Sequence, residues 1–142
     1  MRAVALLCGA LALILAAASC GVDESMQAEI KAFIEANAEH AQQEDIEAYM
    51  SDLSADNVQR DNTRSRAAEL FEKYNLSYTI DEIAIVKADG DRAVVRVKQS
   101  TRKVEGIDPF NDNQVELEYT LVRQGGAWKI QDSRVESIKR LY

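Results

Sequence analysis

The chain has 142 residues, 46% of them hydrophobic and 29% charged, with a single proline and a formal net charge of −7. That is the composition of about one ordinary globular domain, and it excludes collagen-like, disordered and multidomain chains. Without residues 1–19, whose one charged residue is Arg2, 16 basic residues stand against 24 acidic ones, a net charge of −8. A surface that acidic repels phosphate backbones, so no nucleic-acid partner is expected.

Arg2 is followed by an uncharged run of Ala, Leu, Val and Ile as far as residue 18, then by Ser19 and Cys20. A charged start, an apolar middle and a small-residue exit form the layout of a secretory signal. The closing Ala17-Ala18-Ser19-Cys20 resembles the lipobox of bacterial lipoproteins. That resemblance implies cleavage before Cys20, lipidation of its thiol, and acyl chains that hold the protein on a membrane. Gly21, not Asp, follows the cysteine, which implies the bacterial cell envelope and the periplasmic face of the outer membrane. The competing reading, an uncleaved transmembrane helix, suits the length but not the alanine-rich composition or the lack of a following basic cluster. The expected division is therefore 1–19 as cleaved signal peptide, 20–25 as lipidated start and short tether, and 26–142 as the domain. With Cys8 in the leader and Cys20 just after it, the domain forms no internal disulfide and no cysteine-based metal site.

Between residues 26 and 43, Met26, Ile30, Phe33, Ile34, Ala38 and Ala41 recur at the spacing of an amphipathic helix, with Asn37 near the middle of the apolar face and His40 at its margin. Asp45 caps a second helix in which Ile46, Tyr49, Met50 and Leu53 share a face. After a polar loop at 54–62, Asn62 or Thr63 caps a third helix with a stripe of Ala67, Leu70, Phe71 and Tyr74. From Leu76 the period becomes two. Tyr78 and Ile80 share one face and Ile83 and Ile85 the other, which predicts a bulge near Asp81 and Glu82. Asp89-Gly90 marks a hairpin turn, followed by a long strand over 92–104 and a loop over 105–113 that holds Pro109. A third strand over 114–124 points Val115, Leu117, Tyr119 and Leu121 inward and Glu116, Glu118 and Thr120 outward. Gly125-Gly126 then turns the chain into a last strand that opens with Trp128 and Ile130. Three helices before a strand meander predict an α+β domain, the helices lying on one face of a strongly curved antiparallel sheet.

This order, with Gln43-Glu44-Asp45-Ile46-Glu47-Ala48-Tyr49 at the break between two helices and Gly125-Gly126-Ala127-Trp128-Lys129-Ile130 at the closing hairpin, resembles the nuclear transport factor 2-like superfamily. SnoaL-like polyketide cyclases and ketosteroid isomerases share that cone-shaped, cystatin-like fold. The chain departs from the family pattern at the short polar segment 54–62, where an extra strand often precedes the third helix. The resemblance implies a pocket for small hydrophobic molecules between helices and sheet, to which the enzymes of the group add a carboxylate or His base and a Tyr or Asp donor.

Continuing the inward alternation from Val95 and Val97 reaches Gln99 and Thr101, and continuing it from Trp128 and Ile130 reaches Asp132 and Arg134. With Asn37, Tyr49 and Tyr119 these are the candidate pocket residues. Asp132 and Arg134, two apart on one strand face, have the alternative of pairing with each other at the sheet end. His40 is the only histidine, and it reads as a half-exposed residue at a helix end. Asp108, Asn111, Asp112 and Asn113 look like a calcium loop, but lack its glycine and its distal glutamate, so they read as a solvated hairpin loop. No phosphate-binding loop, nucleophile elbow or nucleophile–base pair is visible, so no catalytic residue, metal ligand or cofactor is assigned. The expected function is that of a membrane-anchored envelope lipoprotein whose domain binds a small apolar ligand or an envelope protein without catalysis, as a monomer or weak homodimer. The alternative is a lyase or isomerase of the ketosteroid isomerase type, with Asp132 as its base.

Overall fold

The computed structural model describes residues 22–142; the leader and Cys20 lie outside the described residues. Helices α1 (Glu24–Gln42), α2 (Ile46–Ser51) and α3 (Arg60–Lys73) precede strands β1 (Asn75–Ala88), β2 (Arg92–Glu105), β3 (Asn113–Gln124) and β4 (Ala127–Arg140). The strands form one open antiparallel sheet in the order β1-β2-β3-β4. The α+β class and the helices-first order are as expected. Among the described residues no helix is long and apolar enough to cross a membrane.

The Asp23 carboxylate accepts from Ser25 N at 3.3 Å and opens α1, and Asp45 accepts from Ala48 N at 3.0 Å and opens α2. Helix α3 corrects the sequence reading: it begins at Arg60, ahead of both Asn62 and Thr63, and no side chain caps it. A turn at Asn57 does that work, its Oδ1 accepting from Gln59 N at 2.8 Å and its carbonyl accepting from Arg60 N at 3.2 Å. The Arg60 guanidinium then reaches back to the carbonyls of Leu53 and Ser54, at 3.0 and 3.2 Å. At the other end of the domain, Gly125 and Gly126 both take positive φ (60° and 79°), as a two-residue hairpin of this hand requires.

The core is one cluster that joins Ile30 and Ile34 of α1 and Met50 of α2 to Val95, Val97, Leu121, Trp128 and Ile130 of the sheet. The bulge expected in β1 falls between Ile80 and Glu82. The extra residue reverses the side-chain alternation, so Ile80, Ile83 and Ile85 all pack against that cluster. Two more irregularities lie in β4. Leu121 pairs with Ile130 and Thr120 with Asp132, which leaves Gln131 as an extra residue, and a second shift makes Glu136 another.

Both edges of the sheet are partly covered. On β1, the Gln42 side chain acts as a one-residue strand, its Nε2 donating to Leu76 O at 3.1 Å and its Oε1 accepting from Tyr78 N at 2.9 Å. On β4, residues 52–54 run alongside Ile130: Ile130 N donates to Asp52 O at 2.8 Å and Ser54 N donates to Ile130 O at 2.9 Å. The Asp52 carboxylate faces the helices. Its Oδ2 accepts from Asn37 Nδ2 at 2.9 Å and lies 2.8 Å from His40 Nδ1, which donates to it. Asn37, buried within the apolar face of α1, therefore has its partner within the protein.

Replacing Asn37 with Leu removes one donor from a carboxylate that is itself buried. We expect Asn37→Leu to lower stability by about 1–3 kcal/mol, read by urea unfolding through the emission of the buried Trp128. Unchanged stability would show that the Asp52 carboxylate is satisfied without Asn37.

Candidate functional site

A cavity of about 550 Å³ opens between the C-terminal half of α1, α2, α3 and the inner face of the sheet. Asn37, Tyr49, Gln99, Thr101 and Tyr119, five of the seven expected pocket residues, line it. Asp132 and Arg134 do not. The Gln131 bulge turns them to the outer face, where Asp132 pairs with Thr120 and Arg134 with Glu118, and it brings Ser133 and Val135 inward in their place. The expected pairing of Asp132 with Arg134 is also absent: Arg134 binds Glu136 at 2.6 Å and Glu118 at 3.0 Å.

The sequence reading missed several wall residues. Tyr78 enters because the bulge after Ile80 fixes its side, opposite Thr101. Asn57, Asn62, Thr63 and Arg66 come from the loop and helix that were read by their apolar stripe alone. Phe110 closes over from the β2–β3 loop and packs against Tyr74, with ring centroids 5.2 Å apart. In that loop the Lys103 ammonium takes the carbonyls of Gly106 and Asp108 at 3.1 and 3.0 Å, and Asp112 accepts from Lys103 N at 2.8 Å. These groups therefore serve the hairpin. The missing partner of Asn37 was signalled in part, since a buried amide demands one, but no spacing rule singles out Asp52.

The chemistry of the lining is one-sided. Among the described residues it includes no Asp, no Glu and no His, and its only charged residue is Arg66. Three phenols share the space. Burial raises the Tyr49 pKa, with help from the Asp52 charge, and raises that of Tyr119, with Tyr49 adding to it. Tyr78 is pushed up to about 12, first by burial and then by the charges of Tyr49 and Glu44. All three stay protonated at neutral pH and can donate hydrogen bonds into the cavity. Among the described residues the lining thus offers hydrogen-bond donors but no carboxylate or imidazole.

The raised Tyr78 pKa links stability to alkaline pH. The unfolded phenol ionises near its ordinary 10 and the folded one near 12, so the unfolded chain releases its proton first and stability falls as pH rises through that window. We expect unfolding free energy to decline from about pH 10, and Tyr78→Phe to reduce the decline. An identical pH profile for the variant would contradict the burial of that phenol.

Solved structures of the same shape include an NTF2-like protein of unknown function from Pseudomonas putida KT2440, with a TM-score of 0.66 and 16% identity over 86% of this chain and 97% of that one. Another is a ketosteroid isomerase-like protein from Erwinia carotovora atroseptica, with a TM-score of 0.60 and 19% identity over 81% and 99% of the two chains. At such identities they show the fold, which is NTF2-like. The anti-sigma-I factor RsgI9 of Acetivibrio thermocellus is 31% identical over 90 residues, covering 63% of this chain but 12% of that protein. The chain thus spans a small part of the curated relative it matches. Residues 32–141 match the family described as the anti-sigma-I factor RsgI9, C-terminal domain. These two findings overturn the expected function of an envelope lipoprotein binding domain and its isomerase alternative, since they match the chain instead to a domain of an anti-sigma-I factor. The isomerase reading also lacks the base it named, since Asp132 is outside the cavity and, among the described residues, no other carboxylate lines it. With a match that runs from within α1 to the end of β4, the chain belongs to the family of the anti-sigma-I factor RsgI9 C-terminal domain.

Proposed function

We propose that this chain is a regulatory domain in a system that controls a sigma factor, and that it acts through contact with a protein of that system. The match of residues 32–141 to the C-terminal domain of an anti-sigma factor carries this reading. The cavity supports it from the chemical side. Among the described residues, a wall of hydrogen-bond donors and apolar groups with no carboxylate or histidine suits recognition better than acid–base catalysis. Regulation by a domain of this size requires only that one of its surfaces change its affinity for a partner.

The test is transcriptional. Deleting the gene for this chain in its own organism should change the transcript levels of a coherent set of genes that share one sigma-factor promoter class. Expression of the wild-type chain should restore them. Transcript profiles that stay indistinguishable after deletion would refute the proposal, as would a change spread across genes with no promoter class in common.

A further inference from the structure

Strand β4 is an edge of the sheet, and only its first part is covered. Ile130 exchanges backbone bonds with residues 52–54. From Asp132 to Arg140 every residue is exposed, and among the described residues no backbone bond reaches the free side. The alternation of an antiparallel ladder identifies the groups that stand open. Ile130 turns its N–H and C=O to the edge, so its β3 partner Leu121 belongs to the set not hydrogen-bonded to β4, together with Tyr119, Leu117, Val115 and Asn113. Their partners Ser133, Val135, Ile138 and Arg140 therefore also direct their backbone groups away from the sheet.

Folded proteins ordinarily blunt such an edge. On β1 the Gln42 side chain occupies Leu76 and Tyr78, and register shifts after Ile80 and Ile85 interrupt the remainder. On β4 the open row has no proline, and it carries Val135 and Ile138, which are 54% and 68% exposed. A row of free N–H and C=O groups with apolar side chains at alternate positions is complementary to another extended strand. The chain itself shows that this edge accepts one, since residues 52–54 pair with it at Ile130.

Charge selects the occupant. Arg134 is bound by Glu118 and Glu136, whereas Lys139 and Arg140 have no ion-pair partner among the described residues and stand opposite the neutral Gln114 and Asn113. In a chain of net charge −7, this end of the edge is basic and suits an acidic segment. A second copy of the chain fits less well. Antiparallel pairing that sets Val135 of each copy against Ile138 of the other also sets Arg134 against Lys139 twice, and like charges directly opposite are destabilising.

We infer that residues 132–140 of β4 are the docking edge for an extended segment of another protein, which adds to the sheet as an antiparallel strand, with acidic residues against Lys139 and Arg140 and β-branched residues against Ile138 and Val135. Backbone bonds supply the affinity, and the alternate side chains and the charged end supply the choice of partner. The inference rests on the reading that the domain acts through contact with a protein, and it names the surface of that contact.

The probe is the capped peptide Glu-Glu-Val-Thr-Val-Thr-Val, titrated into the isotope-labelled full chain and followed by NMR. Saturable shift changes centred on residues 132–140 are expected, with slowed hydrogen exchange at Ser133, Val135, Ile138 and Arg140. N-methylation of the peptide's valines removes the donors aimed at β4 and should abolish binding, while N-methylation of its threonines, whose N–H groups point away, should leave it intact. Lys139→Glu combined with Arg140→Glu should weaken binding about tenfold, the worth of two exposed charge pairs, and a peptide with Lys-Lys in place of Glu-Glu should recover it. Ile138→Pro removes an edge donor without breaking a bond to β3 and should abolish binding. Should that variant fail to fold, the N-methyl comparison decides the matter on the wild type. No change in β4 at millimolar peptide would overturn the inference, as would binding indifferent to which residues are methylated. Sedimentation of the wild type alone as a dimer that the double charge reversal or Ile138→Pro dissolves would assign the edge to a second copy, and would overturn it too. These failures leave the transcriptional response to deletion standing, and an absent response leaves the peptide titration standing, so the two readings fall separately.

Discussion

Asp52 joins the helical layer to the sheet. Its backbone carbonyl accepts from Ile130 N on β4, and its carboxylate accepts from Asn37 and His40 on α1. It is 7% exposed, so these bonds form in a medium that screens them little, and loss of either donor would leave charge uncompensated. The helical side of the cavity depends on this placement. It sets the distance of α1 from the sheet, ends α2 at the right height for Tyr49 to enter the space, and starts the turn from which Arg60 and α3 follow.

The second determinant is backbone irregularity. A regular strand presents alternate residues to each face, and one extra residue exchanges the faces from that point on. In β1 this exchange keeps three isoleucines on the core. In β4 it takes Asp132 and Arg134 out of the cavity and puts Ser133 and Val135 in. The outer face then absorbs the charges in cross-strand pairs, Lys98 with Glu82, Arg96 with Glu118, and Arg134 with Glu118. Exposed pairs of this kind add little stability, but they keep the outward face of the sheet polar.

The cavity gains its character from the same exchange. With Asp132 inside it would hold a carboxylate beside three phenols, the materials of proton transfer. With Asp132 outside it holds donors, apolar surface and one guanidinium at the rim. An NTF2-like fold is compatible with either arrangement, since function is set by the groups in the site and not by the fold. The chain belongs to the family of the anti-sigma-I factor RsgI9 C-terminal domain, and among the described residues its cavity lining holds no carboxylate and no imidazole.

Element types and order were legible in the residues because periodicity is local. The apolar spacing of α1, the cap at Asp45, the turn at Asp89-Gly90 and the paired glycines at 125–126 each depend on a few neighbouring positions. The β1 bulge was legible too, since Tyr78, Ile80, Ile83 and Ile85 break the alternation in a visible way. The start of α3 was not, because Asn57 acts through a turn that exists only once residues 52–54 are bound to Ile130. Nor was the β4 bulge: Gln131-Asp132-Ser133-Arg134 contains no apolar residue whose side would betray a change of face. The sequence by itself thus determined an acidic α+β domain and five of the residues around its cavity. Only the tertiary structure decided which charges were excluded from that cavity and which carboxylate met Asn37, because both follow from strand register and from contacts between residues far apart in the chain.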